Sequence, residues 1–282
     1  MNLKSMLRPI RTQAVLAGSI AALAALSIAA SAPAGAAKGE HHGSGKKPTV
    51  VLVHGAFADS SSWNGVIKRL QHAGYPVIAP ANPLRGLSSD AAYLHSVLGS
   101  VRGPIVLAGH SYGGSVISEA AAGDPDVKAL VYIAAFAPDK GESALELSNK
   151  YPGSTLGENL DPVPFPLADG GTGTDLYIER DKFHDQFAAD VPAAQTDLMA
   201  ATQRPVAASA LEEKAADAAW KTIPSWYLVA TEDKNIPPAA QRFMAGRAGS
   251  RTVEISASHA VSVSRPAAVA NLIEKAATAT AR

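Results

Sequence analysis

The sequence predicts an α/β protein: a mostly parallel sheet with helices on both faces and a cap inserted between late strands. Three observations carry this. Short β-branched apolar runs recur from residue 49 onward, each followed by a segment of helical spacing. The runs are apolar along their length rather than alternating, as strands buried on both faces are. One interval, some 85 residues between Pro138 and Ile223, far exceeds what a crossover needs, and the strand–helix rhythm resumes after it.

Taken in order, Thr49-Val50-Val51-Leu52-Val53 is the first strand, stopping at His54-Gly55. Ser60-Ser61-Ser62 offer caps for a helix whose Trp63, Val66, Ile67 and Leu70 share one face; Gly74 ends it. Val77-Ile78-Ala79 is the second strand, followed by a helix opened at Ser88-Ser89 with Leu94, Val97, Leu98 and Val101 on one side. The third strand, Pro104 to Ala108, runs into Gly109-His110-Ser111-Tyr112-Gly113-Gly114 and an Ala-rich helix to Ala122. Ala129 to Phe136 reads as a central fourth strand, Trp226 to Ala230 as the fifth and Thr252 to Ile255 as the sixth. Pro266 suits the first turn of a last helix that buries Val269, Leu272, Ile273 and Ala276. The long interval, about 138–222, holds a Pro-rich run at 161–166, a Gly-rich one at 169–173, and helical material at 191–202 and 206–219. It is read as a cap over the sheet edge, the alternative being a separate small domain.

The 282 residues carry 25 basic and 25 acidic side chains and no cysteine. A neutral balance argues against a nucleic-acid partner. Without cysteine there is no disulfide, Cys-ligated metal or thiol nucleophile, so a nucleophile must be oxygen or nitrogen. Residues 1–36 join a basic start (Lys4, Arg8, Arg11), an apolar run from Ala14 to Ala30 and Ala34-Gly35-Ala36, the pattern of a Sec-type secretory signal cleaved after Ala36. Export to the periplasm or medium is expected, with no stable membrane insertion after cleavage; a retained anchor is the alternative. Cleavage would leave 22 basic against 25 acidic residues, a net charge of −3. Residues 37–47 are polar and Gly-rich, a flexible lead-in in which His41 and His42 read as solvated, and 48–282 are read as one domain.

Gly109-x-Ser111-x-Gly113 sits between strand and helix, the context in which a tight turn lifts a serine hydroxyl above the sheet. Serine needs a base, and the base an orienting acid. Asp233 follows the fifth strand and His259 the sixth, in the order serine, acid, histidine. Glu232 and Asp139 are the competing acids. The N–H groups of Tyr112 and of Ala56, in the loop after the first strand, are the expected oxyanion donors. Phe57 and the Tyr112 side chain would wall the pocket. His184, in the cap, is taken as a substrate contact, with simple packing as the alternative.

These motifs, His54-Gly55-Ala56-Phe57 and Gly109 to Gly114 with the late Asp and His, resemble the α/β-hydrolase superfamily from about residue 48 onward. More narrowly they are similar to small esterases related to plant methyl-ester esterases and hydroxynitrile lyases. The resemblance implies the α/β-hydrolase fold, a Ser111–His259–Asp233 triad, a cap after the fourth strand and no cofactor. It implies eight strands; six are legible. Ser111 argues against the dehalogenases and epoxide hydrolases of this fold, which use aspartate. Ala260 stands where the hydroxynitrile lyases have lysine, which argues against a lyase. The expected activity is hydrolysis of a small to medium water-soluble carboxylic ester through an acyl-enzyme on Ser111. Lactone or amide cleavage, or cofactor-free perhydrolysis, are the alternatives on the same triad, and a non-catalytic binding protein is the alternative of another class. No sequence signal bears on oligomeric state.

Overall fold

The computed structural model describes residues 47–281. The signal-peptide reading, and the lead-in up to residue 46, lie outside the described residues. No helix among the described residues is long and apolar enough to cross a membrane.

Six parallel strands form the sheet: β1 (Thr49–Val53), β2 (Val77–Ile78), β3 (Ile105–His110), β4 (Val127–Ile133), β8 (Ser225–Ala230) and β9 (Arg251–Ile255), in the order β2-β1-β3-β4-β8-β9. Registers Val53↔Gly109, His110↔Ile133, Ile133↔Leu228 and Ala230↔Ile255 bring the carboxyl ends of five strands to one edge. The loops after β1, β3, β8 and β9 open there.

Alternate residues of each strand enter opposite layers. Val50, Leu52, Val106, Val131 and Leu228 pack against α1 (Asn64–His72) and α10 (Pro266–Thr280). Val51, Val53, Leu107, Tyr132 and Tyr227 pack on the other side, with α2 (Leu87–Leu98), α3 (Tyr112–Ala120) and α8 (Pro238–Arg247). Each such fully buried aliphatic contributes about 1.5–3 kcal/mol relative to exposure. After the single turn α9 (Val261–Ser264), α10 starts at Pro266 and buries Val269, Leu272, Ile273 and Ala276 as its spacing predicts.

Several local expectations differ from the structure. Asp59, rather than the serines after it, caps the first helical segment by accepting the Ser61 N–H at 2.7 Å. The fourth strand ends at Ile133 instead of Phe136; Ala134 has φ 43°, and the chain leaves the sheet toward the cap. A helix, α8, links β8 and β9, as a parallel pair requires; its Pro238 start was the available sequence signal.

Residues 138–222 are only partly helical. They comprise α4 (Ala144–Asn149), a hairpin of β5 (Leu160–Pro166) and β6 (Thr172–Ile178), α5 (Phe183–Phe187), α6 (Ala193–Thr202), β7 (Val206–Ala207) and α7 (Ala208–Glu212). The Gly-rich run is the turn between β5 and β6, and β7 completes a three-stranded antiparallel sheet. The helix expected at 206–219 shrinks to α7 and one 3-10 turn, because β7 pairs with β6 at Asp175↔Ala207 and Leu176↔Val206.

Candidate active site

Ser111 joins β3 to α3 with φ 54° and ψ −126°, a region costly for a residue with a side chain. Its backbone is held from several sides. Its N–H donates to Ile133 O at 3.3 Å, and its carbonyl accepts from Gly114 at 2.9 Å and Phe136 at 3.1 Å. The flanking glycines are required by close approach. A Cβ on Gly109 would lie 2.5 Å from Gly113 O, and one on Gly113 would lie 2.5 Å from Val53 O.

Asp233 and His259 meet on the neighbouring loops. His259 Nδ1 donates to Asp233 Oδ2 at 2.7 Å, and both side chains are fully buried. The Asp233 carboxylate is saturated. Oδ1 accepts the N–H groups of Asn235 (2.7 Å) and Ile236 (3.0 Å), and Oδ2 also accepts Gln241 Nε2 (2.8 Å). Among the described residues His259 Nε2 is buried with no protein hydrogen-bond partner, leaving it available to take a proton. The competing acids point elsewhere: Glu232 accepts Ser256 Oγ near the surface, and Asp139 pairs with Lys221.

Two further histidines brace the site. His54 Nε2 accepts the Asn82 N–H at 2.9 Å while Nδ1 donates to Gly55 O at 2.9 Å, and burial lowers its pKa to about 4. His110 Nε2 donates to the His259 carbonyl at 2.9 Å, its ring 4.7 Å from that of His259. Burial, then the neighbouring His259, hold its pKa well below the usual range. Both are neutral scaffolding.

Ser111 opens into a cavity of about 210 Å³ that Ala56, Phe57 and Tyr112 also line. Its other walls are mainly apolar, with Phe136, Leu156, Leu176, Leu211 and Ile236, and Glu212 is its only charged wall among the described residues. Tyr112 is the first residue of α3, where a backbone N–H has no acceptor within the helix and the helix dipole favours negative charge. The loop carrying Ala56 lies against the serine: a Cβ on Gly55 would come within 2.6 Å of Ser111 Cβ. The Tyr112 hydroxyl turns away to donate to the buried Asp90 at 3.0 Å. His184 is not brought to the cavity. Its Nδ1 meets Thr196 Oγ1 at 3.1 Å, because α5 turns Phe183 and Phe187 inward and His184 toward α6. That corrects the substrate contact expected of it.

Three residues of the site were not read from sequence. Gln241, on the buried face of α8, accepts the Ala230 N–H at 3.0 Å and donates to Asp233 and to Ile236 O. Asn235 lines the cavity and donates to Asp233. Gln186, on α5, donates to Asn235 Oδ1 at 2.7 Å and Lys234 O at 3.0 Å. A glutamine among otherwise apolar core positions was the only sequence signal for Gln241. Among the described residues no cluster of three His, Cys, Asp or Glu has the arrangement of a metal site.

Fold and site together define a hydrolase built around a serine at a strand-to-helix elbow. Residues 50–272 match the Alpha/beta hydrolase family, and the chain belongs to it. It is 27% identical over 256 residues to the α/β hydrolase nvfD of Aspergillus novofumigatus, covering 82% of this chain and 97% of that one. It is 29% identical over 254 residues to a pyrethroid hydrolase of Sphingobium wenxiniae, covering 79% and 85%. Its fold matches polyneuridine aldehyde esterase with a TM-score of 0.71 at 20% identity, over 81% of this chain and 98% of that one. It is thus an α/β hydrolase related to esterases.

Proposed function

We propose that the protein is an exported serine esterase that cleaves small to medium, uncharged carboxylic esters through an acyl-enzyme on Ser111. The observation that carries this is the elbow serine in an apolar cavity also lined by Asn235 and Ile236, whose N–H groups bind the carboxylate of the buried, hydrogen-bonded Asp233–His259 pair. In the proposed reaction Ser111 Oγ attacks the acyl carbon while His259 Nε2 takes its proton. Asp233 stabilises the resulting imidazolium. The N–H groups of Ala56 and Tyr112 receive the oxyanion. The intermediate collapses, the His259 proton goes to the departing alkoxide, and water, deprotonated by His259, releases the acid. Apolar walls and the lone Glu212 carboxylate favour neutral chains over anionic ones.

The test is labelling by a fluorophosphonate together with turnover of a panel of p-nitrophenyl esters, lactones and an amide. Ser111→Ala is expected to abolish labelling and lower kcat by roughly 10⁴–10⁶. Near-native esterase activity in that variant would overturn the mechanism. Export is part of the proposal on the strength of residues 1–36. Amino-terminal sequencing of protein from the medium or periplasm should begin at Ala37, and a cell-retained chain starting at Met1 would contradict it.

A further inference from the structure

Phe57 lies between two spaces. One is the cavity that holds Ser111. The other is a groove of about 310 Å³ between the start of α1 and α6, lined by Ser62, Gln195, Met199 and Thr202 among others. Among the described residues Phe57 is the one that lines both. It is also pinned. Its φ is 60°, rare for a bulky residue. Its N–H donates to Arg204 O of the cap at 3.0 Å, and its ring stands edge-on to Phe187 at 6.4 Å. Each space has a single acidic wall residue, Glu212 within and Asp59 outside, and no cationic one among the described residues.

We infer that Phe57 determines which esters fit, by closing the Ser111 cavity off from this outer groove. It is a specificity residue, and the inference rests on the esterase reading above. A neutral acyl or alkyl chain too long for the inner cavity meets the Phe57 ring. A smaller side chain at this position joins the two spaces into one channel whose walls suit the same uncharged chain.

The experiment measures kcat/KM on p-nitrophenyl acetate, butyrate, octanoate and dodecanoate for wild type, Phe57→Leu and Phe57→Ala, with fluorophosphonate labelling of each. The octanoate-to-butyrate ratio is expected to rise by at least about tenfold in Phe57→Ala and by less in Phe57→Leu. Adding Met199→Trp to Phe57→Ala, which refills the outer groove, is expected to reverse the gain. Reading a ratio separates the partition from any uniform loss caused by disturbing the Ala56 loop. If Phe57→Ala does not fold, Phe57→Leu and Phe57→Val carry the same comparison. An unchanged ratio in labelled variants overturns the partition and leaves the esterase reading standing. A wild type that neither labels nor turns over any ester overturns the esterase reading and the partition with it.

Discussion

Gln241 Nε2 lies 2.8 Å from Asp233 Oδ2, the oxygen that also accepts the His259 imidazole. The amide is fully buried, and its oxygen is engaged by the Ala230 N–H at the end of β8. It therefore fixes the carboxylate to the sheet and draws charge from the oxygen facing the base. A hydrogen bond to a charged group contributes about 1.5–3 kcal/mol. Gln241→Leu should lower kcat by about 10–100-fold with KM nearly unchanged. An unchanged kcat in folded Gln241→Leu would reduce Gln241 to packing.

The elbow allows no side chain at Gly113. A Cβ there would lie 2.5 Å from Val53 O and 2.9 Å from His54 O, both backbone atoms. Gly113→Ala is expected to cost about 1–3 kcal/mol by urea unfolding, and to cut turnover by pushing the Ala56 loop. Gly246 in α8 is the counter-case: among the described residues a Cβ there meets nothing within 4 Å. Gly246→Ala should stabilise by about 0.5–1 kcal/mol. Equal effects at the two positions would contradict the close-approach argument.

Stability should fall with acid because His54 and His110 are buried neutral. The folded state resists protonating His54 until about pH 4, whereas the unfolded chain takes that proton near pH 6.5. Between those values the unfolded state binds more protons, so stability is greatest above pH 6.5 and drains away as pH drops toward 4. For His54 the loss is about 3 kcal/mol, at 1.36 kcal/mol per pH unit. Urea midpoints from pH 7 to 4 should show it, and His54→Gln should flatten the slope. An identical slope in the variant would rule His54 out as its source.

The cap holds the acid loop through Gln186. Besides its bonds to Lys234 and Asn235, Gln186 accepts Thr155 Oγ1 and Asn159 Nδ2, each at 2.8 Å. Gln186→Leu takes the partner from Thr155 Oγ1 and Asn235 Oδ1, while Lys234 O keeps the Thr155 N–H and Asn159 Nδ2 keeps Thr155 O, and should destabilise by about 1–3 kcal/mol. Hydrogen exchange at Asn235 and Ile236, whose N–H groups bind Asp233, should quicken. Exchange confined to the cap would show that the two are not coupled.

The strands and the elbow were legible because their signals are local. Thr49–Val53 is apolar on both faces, and Gly109-x-Ser111-x-Gly113 records how closely backbone approaches backbone. The cap sheet was not legible, because β5 reads Leu-Asp-Pro-Val-Pro-Phe-Pro and proline ordinarily argues against a strand. The three prolines are two apart, so their missing N–H groups all fall on one edge, and pairing with β6 puts that edge outward. Gln186 acts through partners 27 to 49 residues along the chain, and Gln241 acts across the turn between β8 and α8, at separations of 5, 8 and 11 residues that follow no helical or strand period. His184 looked like a pocket residue because it stands between aromatic neighbours, yet the turn of α5 sends it to Thr196.

Three loops of the candidate site, those after β1, β8 and β9, are tied to the cap: Phe57 to Arg204, Lys234 and Asn235 to Thr155, Ser154 and Gln186, and Ser258 and Ala260 to Asp190 and Phe187. The inserted segment is therefore part of the machine's frame rather than a cover on it. Warming the protein should not produce an uncapped but competent enzyme, and residual turnover becomes a direct gauge of how much of the cap is still folded.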